Sequence, residues 1–353
     1  MSYPTHSDAW YFTATSQGPF SDALQLKKGI AIPELKDNEC LLRIKAVSLN
    51  YRDMVIAKGM YPFPLSLPKV PGSDATGVVV AVGKAVTRYK KGDRVCTLFN
   101  QLHQAGSLTQ EAILSALGGA LDGTLRQYAA FPDYGLVPAP SKLSNVEAST
   151  LSCAPLTAWN SLFGLESKAL RPGDVLLTQG TGGVSLSAIQ FALMVGATVI
   201  ATTSSEEKAE KLKKLGVHHV INYKKTPNWG EVAKSLTPNN VGVDHVVEVG
   251  GAGTLRQSLN AIKLEGVISL VGFLSGQTND LPDMMQAFAG LCIVRGVVVG
   301  SKQQFEAMVR AIDANGIHPV VDAKQFAFEE ATAAFQYHWD QKNWGKVVIR
   351  VPS

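Results

Sequence analysis

The sequence predicts an α/β protein in which a doubly wound parallel sheet is combined with a β-rich, partly barrel-like domain. Three observations carry that prediction. Short β-like runs broken by Gly, Pro and Asp crowd the first 150 or so residues. From about residue 155 strands alternate with helices, the rhythm of a parallel sheet covered on both faces. The last strand-like run, GKVVIRV (345–351), returns to the style of the first part. The predicted layout is therefore a β-rich domain of residues 1–154 and 297–353, interrupted by a nucleotide-binding domain of residues 155–296. The chain length of 353 suits two domains at about 150 residues each.

In the first part, CLLRIKAVSLN (40–50) alternates and puts Leu42, Ile44, Ala46 and Ser48 on one face. TGVVVAVG (76–83) reads as a continuous β-branched strand, and KAVTRYKKGDRV (84–95) turns into another through Gly92-Asp93. Between residues 100 and 123, Ser107 and Gln110 have the spacing of a capping box, and LTQEAILSAL reads as a helix stopped by Gly118-Gly119. This stretch is expected to project as a lobe or rim.

In the second part, DVLLTQG (174–180) is an apolar strand and SLSAIQFALMVG (185–196) a helix with a Gly stop. ATVIATT (197–203), the helix SEEKAEKLKKLG (205–216) and the strand HHVINY (218–223) follow, then HVVEVGG (245–251), GVISLVGF (266–273) and IVRGVVV (293–299). Near-continuous apolar strands of this kind are buried on both faces and are joined by right-handed crossovers. A helical stretch at 303–315 precedes the return to the first domain. The pair His218-His219 opens a strand and reads as structural.

Composition narrows the function. Apolar residues make up 46% of the chain and charged residues 18%, which excludes a mainly disordered or fibrous protein. The 33 Lys+Arg against 29 Asp+Glu leave a scattered surplus with no basic block, so nucleic acid is not an expected partner. No apolar run reaches the roughly 18 residues of a membrane span, and the start MSYPTHSDAWYF lacks the basic and apolar regions of a secretory signal. The chain is expected to be soluble, intracellular and cytoplasmic. Cys40, Cys96, Cys153 and Cys292 form no CxxC pair and no Cys/His cluster, so they read as reduced, buried thiols rather than a structural zinc site.

The sharpest local signal is Gln179-Gly180-Thr181-Gly182-Gly183-Val184, between an apolar strand and a helix. Gly180, Gly182 and Gly183 permit a tight turn and close approach of backbone N–H groups to a pyrophosphate, and the helix N-terminus adds about half a positive charge. Thr181 and Val184 belong to the same cradle. Ser185 stands where the usual GxGxxG pattern has its third glycine. An NAD site expects an acid about 20 residues on, at the end of the second strand. That strand ends Thr202-Thr203-Ser204-Ser205 instead. The small hydroxyls of Thr203 and Ser204 leave room for a 2′-phosphate, Lys208 lies just beyond, and Tyr223 ends the third strand. NADP(H) is expected over NAD(H).

With SLNYRD (48–53), VPGSDATGVVVAVG (70–83), RYKKGDRV (88–95), LSCAPLTAWNSLFG (151–164), HVVEVGGAGTL (245–255), VISLVGFLSG (267–276) and NWGKVVIRV (343–351), these features span nearly the whole chain. It resembles the medium-chain dehydrogenase/reductases, specifically the zinc-free group that includes zinc-type alcohol dehydrogenase-like proteins and quinone oxidoreductases. The resemblance implies a Rossmann nucleotide domain beside a GroES-like catalytic domain. Zinc-dependent relatives hold their metal with a Cys, a His in a Gly-His-Glu turn and a second Cys. Here those positions fall on Asn50, on Ser73 within Gly72-Ser73-Asp74, and on Cys153. One soft ligand does not make a zinc site, which takes three protein ligands and a water, so no metal is expected.

By the same resemblance Tyr61, in the Gly-Met-Tyr-Pro turn, matches a proton donor or enolate-orienting tyrosine. Asn50 offers its amide to the nicotinamide ribose or a substrate carbonyl. Thr157, Gly250, Gly251, Phe273 and Ser301 match positions around the nicotinamide. Lys346 and Asn343 are further candidate contacts from the returning segment, and Arg52 and Asp53 are expected to form a structural ion pair. Without a Lewis acid, the chemistry that remains is hydride transfer with protein hydrogen bonds stabilising developing charge. That suits a C=C bond conjugated to a ketone, thioester or quinone, where the charge spreads into an enolate. A carbonyl reductase or alcohol dehydrogenase on the same fold is the second reading, and a non-catalytic NADP(H)-binding sensor or structural protein the third. The expected partners are a small-molecule substrate and, by resemblance, a second copy paired through IVRGVVV.

Overall fold

A computed structural model of the chain describes residues 3–63, 65–276, 282 and 284–352. It divides into two compact units, residues 1–156 with 301–353, and residues 157–300. The divisions fall at 156/157 and 300/301, against expected boundaries of 154/155 and 296/297, and Ser301 lies in the first unit by either division.

The first unit opens with an antiparallel pair, β1 (His6–Phe12) and β2 (Leu24–Ala31). There follow β3 (Glu39–Ser48), the short helix α1 (Tyr51–Ala57), β4 (Asp74–Val82) and β5 (Arg94–Thr97). Next come α2 (Gln110–Ile113), β6 (Tyr128–Pro132), β7 (Leu136–Pro138) and α3 (Asn145–Ala148). β3 runs antiparallel to β4 from Cys40 opposite Val82 to Ser48 opposite Asp74. Leu42, Ile44, Ala46 and Ser48 are buried as the alternation requires, but so are Leu41 and Val47. Two irregularities in the β3–β4 register, at 41/42 and 44/46, break the strict parity. The expected long helix at 108–117 is one turn only. Its N-cap is Thr109, whose Oγ1 accepts from the Ala112 N–H, and not Ser107.

The second unit begins within α4 (Ala154–Phe163), which the sequence reading did not mark as a helix. Its core elements are β8 (Val175–Gln179), α5 (Gly183–Val195), β9 (Thr198–Thr203), α6 (Glu206–Lys214) and β10 (His219–Asn222). The chain continues through α7 (Trp229–Ser235), β11 (Val243–Glu248), α8 (Leu255–Ala261), β12 (Ile262–Leu270), α9 (Met284–Ala289) and β13 (Ile293–Gly296). All strand pairs are parallel, in the order β10-β9-β8-β11-β12-β13. The chain builds outward from β8 to β10, then jumps back to lay β11 against the other side of β8. That reversal is a topological switch point, beyond whose strand ends doubly wound proteins bind ligands. The predicted Gly stop is present: Gly196 ends α5 with φ of 83°, in the left-handed region that costs glycine nothing. Val175, Leu177, Ile200, Ile221, Trp229, Val246 and Ile268 share one core.

The chain then returns to the first unit as α10 (Lys302–Asn315), β14 (Phe326–Ala327), α11 (Ala331–Trp339) and β15 (Val348–Arg350). β15 pairs with the end of β3, Val348 opposite Ser48, and β6 pairs with the start of β3, giving a sheet of order β14-β15-β3-β4-β5-β7 with β6 attached. Phe12, Phe20, Ile44, Val79, Phe131, Phe335 and Ile349 pack together in its core. Among the described residues no helix is long and apolar enough to cross a membrane.

Candidate active site

In the first unit the chain places a buried charge cluster at the start of α1. Asn50 is the N-cap of that helix and 6% exposed. Its backbone N–H donates to the Asp53 carboxylate at 2.8 Å, which ties down the first turn. The Lys346 ammonium, 5% exposed, donates to the Asn50 Oδ1, to the Leu49 carbonyl at 2.8 Å and to Asp74 Oδ2 at 3.3 Å. Asn50 Nδ2 donates to Ser73 Oγ at 3.4 Å, and Ser73 Oγ donates to Asp74 Oδ1 at 3.3 Å. Both ends of the Asn50 carboxamide are thus held by protein. Burial pushes the Asp53 carboxyl up to about 6 and raises that of Asp74, the latter opposed by Lys346. Burial likewise holds the Cys153 thiol well above its ordinary range.

Arg52 does not pair with Asp53. Asp53 is fully buried beneath the helix start, while Arg52 Nε donates to Tyr61 Oη at 3.0 Å and Nη1 donates to the Leu117 carbonyl at 2.8 Å. Its guanidinium also lies over the rings of Phe99 and Tyr61, with centroid distances of 4.6 and 5.1 Å. Tyr61 is partly exposed and stays within 5.3 Å of the Phe63 ring. Because its oxygen accepts from Arg52, the phenolic hydrogen is not spent on that contact. Asn343 Nδ2 donates to the Gly345 carbonyl, a local turn contact. Ser301 caps α10: its Oγ accepts from the Gln304 N–H at 3.2 Å and its N–H donates to Gln304 Oε1 at 2.8 Å.

In the second unit most of the predicted nucleotide residues follow the carboxyl ends of the strands, while Thr157 lies on α4, Lys208 on α6, and Ser301 belongs to the first unit. Gly180 has φ of 70°, and a Cβ there would meet nothing, so conformation rather than crowding requires glycine. Its N–H donates to the Thr202 carbonyl at 2.8 Å. Gly182 is the exposed N-cap of α5, Gly183 and Val184 form its first turn, and Thr181 is buried between them and the strand. The first-turn N–H groups of such a helix have no intrahelical acceptor, which is what an anion needs. Ser185 earns its place at the third glycine position: its Oγ donates to the Gln179 carbonyl at 2.6 Å and staples α5 to the end of β8.

At the end of β9, Thr203 is buried and its Oγ1 accepts from the Ser205 N–H at 3.3 Å. Ser204 is partly exposed, and the N–H of Lys208 donates to the Ser205 cap at 3.2 Å. Tyr223 is 40% exposed, with its backbone N–H on the Thr203 carbonyl. The acids nearest this edge, Glu206 and Glu207, are paired with Lys225 and Lys211. Gly250 and Gly251 form the turn after β11, and Phe273, 54% exposed, follows β12. Thr157 lies on α4, 5% exposed, its carbonyl accepting from Ser161 Oγ. Sequence reasoning missed Gln179, Glu248 and Ser258, which are buried, and the half-buried Thr254; their side chains bond one another. The available signal was an acid, Glu248, at the end of the apolar run HVVEVGG.

A zinc ion does not fit the residues at the positions that hold it in zinc-dependent relatives. The Asn50 carboxamide is an indifferent ligand already bonded to an ammonium, Ser73 is bonded to Asp74, and a fixed positive charge occupies the neighbourhood. Among the described residues no group of three His, Cys, Asp or Glu is placed to hold a metal.

A β-rich unit followed by a parallel sheet with a glycine turn at its switch point defines a dinucleotide-dependent oxidoreductase of two-domain type. The sequence families described as alcohol dehydrogenase GroES-like domain and zinc-binding dehydrogenase match residues 36–141 and 183–314. A zinc-type alcohol dehydrogenase-like protein of Schizosaccharomyces pombe is 47% identical over 90% of this chain and 92% of its own. A 2-haloacrylate reductase of Burkholderia is 32% identical over 87% and 89%. Among solved structures, an NAD-dependent alcohol dehydrogenase superposes with a TM-score of 0.86 at 31% identity, covering 98% of this chain and 100% of that one. A crotonyl-CoA carboxylase/reductase in complex with NADP superposes with a TM-score of 0.83 at 25% identity, covering 99% and 95%. The chain belongs to the medium-chain dehydrogenase/reductase family, whose members are NAD(P)-dependent oxidoreductases.

Replacing Lys346 by Met is expected to lower stability by about 3–5 kcal/mol, because it leaves the Asp74 carboxylate buried and unpaired; urea unfolding at pH 7 measures it. Asp53 is expected to make a pH-dependent contribution to stability. With its folded carboxyl raised to about 6 and the unfolded one near 3.8, the folded state binds the proton more tightly, so this group's contribution falls as pH rises across that window. An Asp53→Asn variant keeps an acceptor for the Asn50 N–H and carries no charge. Its urea midpoint relative to the parent should rise between pH 4 and pH 7.

Proposed function

We propose that this oxidoreductase uses NADPH to reduce the C=C bond of an α,β-unsaturated carbonyl compound or quinone without a metal. When bound, the coenzyme supplies a hydride from its nicotinamide C4. The chain's own part begins with Gly180 to Val184, whose unpaired first-turn N–H groups and helix terminus receive the pyrophosphate. Ser204, Lys208 and Tyr223 receive the 2′-phosphate, with Thr203 bracing the turn. Glu206 and Glu207 are neutralised by lysines, which leaves the strand end without an unpaired acid to favour a free 2′-hydroxyl.

The observation that carries the reading is the Arg52–Tyr61 contact. A guanidinium donating to a phenol oxygen fixes the ring and draws electron density from the oxygen, while leaving the phenolic hydrogen to be given to a substrate. Tyr61 then protonates the carbon of the enolate left by hydride addition, or its oxygen. The similarity to a 2-haloacrylate reductase, an enzyme named for an activated C=C substrate, supports the same class. The similarity to an NAD-dependent alcohol dehydrogenase favours carbonyl chemistry as the alternative.

Consumption of NADPH with enones, acrylates and quinones but not with saturated aldehydes supports the proposal, and the reverse pattern establishes the alternative. Tyr61→Phe should lower kcat by about 10²-fold or more, with little change in coenzyme affinity; equal turnover removes Tyr61 from the mechanism. Lys208→Ala should weaken NADPH by roughly tenfold, the loss of one charged contact, and spare NADH. Titration by fluorescence with each coenzyme decides it, and equal weakening of both refutes the 2′-phosphate assignment.

A further inference from the structure

The two central strands of the parallel sheet, β8 and β11, end in a buried polar knot that the coenzyme reading leaves unused. Glu248, the last residue of β11, is fully buried. Its Oε2 accepts from Gln179 Nε2 at 2.6 Å and from Ser258 Oγ. Its Oε1 accepts from Thr254 Oγ1 at 2.5 Å and from the N–H groups of Gly250 and Gly251, both at 2.9 Å. Gln179, the last residue of β8, returns its own Oε1 to the N–H groups of Val249 and Gly250 at 3.2 and 3.1 Å. The knot lies at the switch point, one residue before the glycine turn on one strand and immediately before Val249 on the other.

We infer that Glu248 and Gln179 form a positioning pair that fixes the loop of residues 249–254 to receive the nicotinamide half of the coenzyme, an assignment that rests on the coenzyme reading above. Three features point that way. First, the loop's N–H groups at 249, 250 and 251 are all turned inward, so this loop offers no second anion site. The N-terminus of α5 is left as the phosphate end of the crevice. Second, the loop is built for close approach without slack. A Cβ at Gly250 would lie 2.3 Å from Thr254 Oγ1, and one at Gly251 2.9 Å from the Gly272 carbonyl. Third, the knot carries the next loop with it. Ser275 Oγ donates to the Gly250 carbonyl at 2.7 Å and accepts from the Gly253 N–H, and the Leu274 N–H donates to the Val249 carbonyl. The loops after β11 and β12, including Phe273 between its neighbours, are therefore set by one carboxylate.

The choice of side chains follows from counting donors. Five converge on position 248, and only a group without hydrogens accepts them all. A glutamine there would set its NH₂ either against the Gln179 NH₂ or against the glycine N–H groups, and turning Gln179 over would set its NH₂ against Val249 and Gly250 instead. Exchanging the two residues removes the conflict. Glutamate at 179 accepts from Val249, Gly250 and the new amide, and glutamine at 248 keeps its oxygen on the glycines and Thr254 while its NH₂ serves residues 179 and 258.

The test compares the parent, Glu248→Gln, Gln179→Glu and the double exchange, each titrated with NADPH and with adenosine 2′,5′-bisphosphate, which lacks the nicotinamide. Glu248→Gln should weaken NADPH about tenfold and leave the bisphosphate within twofold. The double exchange should recover most of the NADPH affinity. Amide hydrogen exchange at 249–254 should speed up in the single variant and slow again in the double. Equal loss for both probes, or no recovery in the double exchange, overturns the assignment. A parent that binds NADPH no more tightly than Glu248→Gln overturns it alone, and a parent that binds neither NADPH nor NADH overturns the coenzyme reading with it.

Discussion

A charge removed from water has to bring its partners with it, and each unit of this chain buries such a charge among converging partners. In the first unit it is the Lys346 ammonium, which reaches the start of α1 from the returning C-terminal segment. In the second it is the Glu248 carboxylate at the end of β11. Neither is an ornament on a finished core. The desolvation cost of an ion is several kcal/mol, so the backbone carbonyls, amides and hydroxyls that repay it must be held in good hydrogen-bonding geometry. The bonds that result fall in two short segments, residues 49–53 and 249–254. Burial alone would disfavour both charges; Lys346 is met by partners almost 300 positions away, whereas Glu248 is met by its own following turn together with the distant Gln179.

The division of labour between glycine and side chain in the second unit follows from the same constraint. At Gly180 the chain needs a left-handed backbone and open space, and the N–H groups that follow remain available. At Gly250 and Gly251 it needs room for backbone packing, and the N–H groups are consumed by Glu248. The two glycine turns look alike in the sequence and do opposite things: one leaves donors for a ligand, the other surrenders them to the protein. On the proposed reading, one anion-receptive end and one donor-poor end would orient a coenzyme that is anionic along one half and aromatic at the other.

The parallel sheet was legible because burial on both faces leaves an unmistakable pattern in 175–179, 198–203 and 243–248, and because a glycine at 196 has few other reasons to stand there. Departures occurred where local spacing was read without knowledge of distant partners. Ser107 and Gln110 have capping-box spacing, yet the chain turns two residues later and Thr109 takes the cap. Arg52 beside Asp53 suggests an ion pair, but successive residues on a helix point about 100° apart, so Asp53 turns under the helix start and Arg52 turns out toward Tyr61. Lys346 was visible as a candidate, though its partners were not, since almost 300 positions of chain separate it from Asn50. Glu248 escaped for the complementary reason: a buried acid is rare, and a strand pattern absorbs it as noise.

The cluster around Lys346 also constrains what the first unit can do chemically. A lysine near a substrate invites the idea that its positive charge takes over the work of a Lewis acid. The three acceptors on Lys346 argue otherwise. An ammonium has three hydrogens, and the Leu49 carbonyl, Asn50 Oδ1 and Asp74 Oδ2 account for all of them. None remains for a substrate oxygen, and the paired Asp74 carboxylate cancels much of the field. Asn50 is similarly committed through its oxygen. On the proposed reading, electrophilic help from this unit comes from a donor with a hydrogen left over, and the Tyr61 phenol beside Arg52 is the candidate. A single phenol stabilises far less charge than a divalent cation, and the proposed enolate, whose charge is shared between carbon and oxygen, asks less of it than a localised alkoxide would.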